Sequence, residues 1–97
     1  MSPAEATRRA RFAIVDAVGT ESPREAPYLL ALVEAAAGLC PRNGRVILGA
    51  LVRAGALSRP SAGMLGRGER YATFAREREA FLGRSVVRGQ EPSEAVA

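Results

Sequence analysis

Ninety-seven residues accommodate one small domain, because domains commonly run to ~100–150 residues and a chain this short buries only ~60–65% of its unfolded surface. Hydrophobic residues at 47% and charged residues at 25% match a folded globular domain and exclude the weakly hydrophobic, highly charged composition of disordered chains. Histidine and tryptophan are absent and Cys40 is the single cysteine, which removes a His-assisted nucleophile, a Cys/His zinc site and a disulfide framework, so neither catalysis nor a metal or cofactor is expected.

The longest apolar stretches, Tyr28 to Val33 and Val46 to Val52, fall far short of the ~20 residues of a membrane span, and residues 1–10 hold no apolar signal core. A soluble, cytoplasmic protein with no membrane partner is the expectation. All 14 basic residues are arginine, which with so much Ala and Gly reads as the codon usage of a GC-rich genome, although arginine also suits phosphate contacts. The net charge of +4 is unevenly spread. Residues 1–41 hold four Arg against five acids, residues 42–76 hold seven Arg against Glu69 alone, and residues 77–97 hold three Arg against four acids. A nucleic-acid binder needs such a basic middle, since each Arg that meets a phosphate releases condensed counterions; the bland alternative is a solvated basic face.

In chain order, Ser2 caps a helix with Pro3 in its first position, and apolar Ala10, Ala13, Ile14, Ala17 and Val18 give the period of one buried face over about 3–18. Residues 19–23 read as a loop. A second helix spans Ala26 to Ala37, with Pro27 in its first turn and Gly38 ending it. Pro41 restarts a third helix, 41–54, that buries Ile47, Leu48, Leu51 and Ala54 and turns Arg42, Asn43, Arg45, Val46, Gly49 and Arg53 to the other side. Gly55 stops it. Ala56 to Pro60 begins an extended run, Ser61 to Gly68 reads as a glycine-rich tip, and Arg70 to Phe74 alternates long with small residues as a returning strand. A last helix covers about 75–87, and residues 89–97 read as a disordered tail, which places one domain over 1–88.

The run from Gly38 to Leu57 resembles the helix-turn-helix of bacterial winged-helix regulators. Gly38-Leu39 stands as the turn, Cys40-Pro41 opens the recognition helix, Leu48 and Leu51 take the packing places, and Gly55 with Leu57 forms the exit. The following Leu57 to Phe74 resembles a two-stranded wing, so that the resemblance covers roughly residues 10–75. Gly44 stands where the family usually has an aliphatic anchor, and Cys40 where it has a Ser or Thr cap. The resemblance implies a mainly α (α+β) fold, a three-helix core with a wing and a C-terminal helix.

It also implies a sequence-specific transcriptional regulator of double-stranded DNA, expected to be a bacterial or phage repressor. The major groove admits one helix, and arginine and asparagine suit guanine and adenine edges. Arg42, Asn43 and Arg45 would face base edges from the first turns of the helix, Val46, Gly49 and Arg53 are the further DNA-binding positions on that helix, and Arg59, Arg67 and Arg70 on the wing would lie along the backbone or enter the minor groove. A module this small touches few base pairs, so a homodimer is expected, with the exposed apolar Phe12, Phe81 and Leu82 at its interface. The second reading is a small winged-helix adaptor, of phage origin, that binds an acidic protein partner; the apolar Met64-Leu65 at the hairpin tip and the two helix glycines Gly44 and Gly49 favour it. Cys40 reads as a redox sensor or, more commonly, as a small buried residue. Glu77, Arg78 and Glu79 read as a solvated face, and Tyr71 and Phe74 as packing residues rather than base-stacking ones.

Overall fold

A computed structural model of the chain describes residues 2–82. Four helices and three short strands follow one another as α1 (Pro3–Thr20), β1 (Arg24–Glu25), α2 (Ala26–Ala37), α3 (Pro41–Arg53), β2 (Leu57–Ser58), β3 (Met64–Arg67) and α4, which is helical over 71–82. The protein is mainly helical with a small antiparallel sheet in the order β1-β3-β2. Residues 83–88 of the expected last helix and the tail 89–97 lie outside the described residues.

Local chemistry sets the helix boundaries. The Ser2 hydroxyl accepts the Glu5 N–H at 3.2 Å, and Pro3 follows with its φ already helical. Ala6, Ala10, Ile14, Val15, Ala17 and Val18 form the buried stripe of α1. α2 ends at Gly38, where φ is +69° and the N–H returns to Glu34 O at 2.8 Å. α3 ends in a Schellman turn: Gly55 N–H bonds Val52 O at 3.1 Å, Ala56 N–H bonds Leu51 O at 3.0 Å, and Gly55 takes φ +88°. Such a backbone favours glycine, and the buried Ala56 supplies the accompanying apolar contact.

Ile14, Val18, Leu29, Val33, Ile47, Leu48, Leu51, Leu57 and Leu65 make one continuous core across α1, α2, α3 and the sheet. Gly44 faces this core. A Cβ there would stand 2.8 Å from Leu30 Cδ2 and 3.7 Å from Val33 Cγ1, so the missing side chain lets α2 and α3 approach closely. Helix propensity favours replacing it by ~1 kcal/mol per Gly→Ala, and the Leu30 methyl can swing aside. Gly44→Ala should therefore stay within about 1 kcal/mol of the parent, whereas Gly44→Leu should lose about 1–3 kcal/mol by overpacking. Urea unfolding of both variants separates close packing from a passive glycine, which would tolerate leucine.

The hairpin differs from the expected one in register and in length. The returning strand is Met64–Arg67, pairing Leu57 with Arg67 and Ser58 with Gly66, and the tip shrinks to residues 59–63. Leu65 is wholly buried in the central strand, so Met64-Leu65 is no exposed apolar tip. On its other edge β3 pairs with β1, Arg24 opposite Leu65 and Glu25 opposite Met64, a strand absent from the expectation. Residues 71–74 begin α4, because the half-buried Tyr71, Phe74, Ala75, Arg78 and Phe81 continue a helical period that five alternating residues could not distinguish from a strand.

α4 runs back along α1. The Tyr71 hydroxyl donates to Val15 O at 3.1 Å, and Arg78 pairs with Asp16 at 3.1 Å. Phe81 packs against Phe12 with ring centroids 5.2 Å apart and the rings tilted by 44°. Two of the three residues expected at a dimer interface, Phe12 and Phe81, thus cover each other inside one chain, while Leu82 remains 38% exposed. Four of the five aromatic rings carry an arginine: Arg8 lies over Phe81, Arg11 over Phe74, Arg24 over Tyr28 and Arg67 over Tyr71, at 4.6–5.7 Å. This fits Tyr71 and Phe74 as packing residues. No helix among the described residues is long and apolar enough to cross a membrane.

Candidate nucleic-acid interface

α3 is strongly two-sided. Gly44, Ile47, Leu48 and Leu51 are buried, and at about 100° per residue the side chains of Arg42, Arg45, Val46, Gly49 and Arg53 fall within an arc of ~100° on the opposite face. Asn43 borders that arc. Arg42, Asn43, Arg45, Val46 and Arg53 are exposed, and Gly49 is half-buried, because a guanidinium nitrogen of Arg53 lies 3.4 Å from where its Cβ would be. Arg53 therefore folds back along the helix toward its N-terminus. Ala50 is also exposed on this side; its position four residues after Val46 was the available signal, which its small apolar side chain hid. Ala54, expected in the core, is exposed, because the chain leaves the helix there through the Schellman turn.

Charge on this face is uncompensated. α3 contains no carboxylate, and the three ion pairs among the described residues, Arg9–Glu5, Arg24–Glu21 and Arg78–Asp16, involve none of its arginines. The N-cap Cys40 makes no side-chain hydrogen bond, and Pro41 has no N–H. The open amides of the first turn and the positive end of the helix dipole therefore add to the potential around Arg42 and Arg45. Cys40 itself is exposed with a free thiol, which corrects the buried reading.

The remaining predicted residues divide. Arg59 is exposed on the short hairpin tip. Arg70 is exposed, and its stem lies against Gly55, with Cγ 3.2 Å from that residue's Cβ position, so it sits at the exit of α3. Arg67 is committed elsewhere. Its Nε donates to Val18 O at 3.2 Å, its Nη2 donates to Gly19 O at 2.7 Å, and its guanidinium packs on Tyr71. With Arg24, whose Nε donates to Ala17 O at 3.2 Å, it caps the C-terminal carbonyls of α1, where a cation also suits the helix dipole.

Arg67→Ala should therefore lower stability by about 1 kcal/mol, since charge-assisted hydrogen bonds contribute ~1.5–3 kcal/mol when buried and these are partly exposed. The check is a thermal midpoint about 5 °C lower. An unchanged midpoint would return Arg67 to the free basic surface.

Among the described residues no group of three or more potential metal ligands occurs. Comparison with protein-family models, with curated proteins and with solved structures finds no match.

Proposed function

We propose that the protein is a sequence-specific double-stranded DNA-binding transcriptional regulator, a repressor that occupies its operator. In this reading α3 lies in the major groove, Arg42, Asn43 and Arg45 reach base edges, and Arg53, Arg59 and Arg70 meet phosphates. The observation that carries it is the exposed basic face of α3, three arginines free of carboxylates on a helix whose other face is locked into the core. The order helix, strand, helix, helix, strand, strand, with β3 central, fits a winged helix-turn-helix and supports the reading at the level of fold.

A mobility shift on genomic fragments from ~50 to 200 mM salt tests the proposal, because phosphate contacts lose affinity steeply over that range. Absence of any retained fragment at the lowest salt would overturn it. Two features that favoured an adaptor for an acidic protein serve the packing of the fold instead: Leu65 is core, and Gly44 makes room for Leu30. A module that contacts few base pairs gains specificity as a two-fold dimer. We place the dimer contact at the exposed Leu82 and the adjoining surface of α4, since Phe12 and Phe81 are engaged with each other.

A further inference from the structure

The face of α3 carries one residue that phosphate attraction does not explain. Val46 is 64% exposed, the most exposed of the three large hydrophobic residues that stand out from the surface of the described structure. The other two differ in setting. Tyr28 carries the Arg24 guanidinium 4.6 Å above its ring, and Leu82 closes the described part of α4. Val46 has no such cover and stands at the edge of the arc formed by Arg42, Arg45 and Arg53, beside Arg53 and one turn after Arg42.

Gly49, one turn further on, has no side chain, and an Arg53 guanidinium nitrogen lies 3.4 Å from where its Cβ would be. Val46 is thus a short, branched apolar prominence with arginines along one flank and the exposed Ala50 along the other. An exposed valine contributes nothing to helix propensity and loses side-chain freedom there. Its surroundings are repulsive to a cationic partner and attractive to a polyanion. A polyanion that offers an apolar group inside a ring of acceptors is duplex DNA seen from the major groove, where guanine N7 and O6 accept from arginine and the C5-methyl group of a pyrimidine is the one apolar feature.

We propose that Val46 reads a pyrimidine C5-methyl group, that of thymine or of 5-methylcytosine, beside a guanine held by one of the neighbouring arginines. The inference rests on the DNA reading above and deepens it.

The test begins by selecting duplexes from a random library with the full chain at low salt. In the recovered site each thymine is then replaced in turn by deoxyuridine, which removes the methyl alone, and each cytosine by 5-methyldeoxycytidine, which adds it. Removal of one methyl should weaken the parent about fourfold, or addition of one should strengthen it by a similar factor, at ~0.8 kcal/mol per buried methyl-sized group. Which arm responds tells thymine from 5-methylcytosine. Val46→Ala should lose that response while retaining the salt dependence of the parent. A selected site whose binding ignores every methyl change, or an identical response in Val46→Ala, overturns the assignment and leaves the DNA reading standing. Failure to recover any duplex overturns both.

Discussion

Replacing Arg42 or Arg45 by alanine is expected to weaken binding to a selected duplex by roughly 5- to 150-fold, the ~1–3 kcal/mol of a base-directed arginine, while changing affinity for random duplex far less. Both side chains stand in the first turns of α3, exposed and free of carboxylates, where the helix dipole and unbonded amides already favour an anion. Arg59→Ala should act differently. It should weaken all sequences alike and reduce the slope of log affinity against log salt by about one. With Arg53, Arg59 and Arg70 on phosphates, one module has a slope near −2.7, and raising salt from ~50 to 200 mM lowers its affinity about 40-fold. A two-fold dimer doubles the slope. Competition titrations with selected and random duplexes at four salt concentrations read all of these quantities. Equal losses for Arg42→Ala on both duplexes, or an affinity indifferent to salt, would remove α3 from the groove.

The helices were legible where composition and punctuation agreed. Ser2-Pro3, Gly38, Pro41 and Gly55 mark helix ends through capping and backbone geometry that act within a few residues, and the structure places ends of α1, α2 and α3 at those signals. The exposed face of α3 was legible for the same reason, since a 3.6-residue period sorts thirteen residues into two sides without knowledge of the partner. The sheet was not. β1 has two residues and pairs only with a strand some forty positions away, so no local period announces it. Met64–Arg67 reads as loop because Gly66 interrupts it; Gly66 is buried there between the hydroxyls of Ser22 and Ser58, each 3.3 Å from its Cβ position. Arg67 was misread for a related reason. Seven arginines in residues 42–76 look alike in sequence, and only the placement of the α1 C-terminus separates a guanidinium that bonds carbonyls from those that face water.

Gly68→Ala is expected to be strongly damaging for a single added methyl, with a loss of about 3 kcal/mol or more and a thermal midpoint lower by on the order of 15 °C. Where β3 ends, the chain passes directly across the link from α3 to β2. The Gly68 N–H bonds Ala56 O at 3.0 Å, and Arg70 N–H bonds Gly55 O at 2.8 Å. A Cβ on Gly68 would collide with Gly55 O and stand 2.8 Å from Leu57 O. These are backbone atoms held by the Schellman turn and by β2, so they cannot swing aside as the Leu30 methyl can for Gly44. Relief requires separating the two segments, which strains or breaks the two hydrogen bonds at roughly 1 kcal/mol each. Gly38 and Gly63 provide the contrast. Both have positive φ with open space around the Cβ position, so alanine there costs only the left-handed strain of ~1–2 kcal/mol. Calorimetry of the three variants side by side gives the ranking. A Gly68→Ala midpoint no lower than that of Gly63→Ala would mean that the exit of α3 and the start of α4 are not in backbone contact, and the platform that orients the basic face would have to be rebuilt from other contacts.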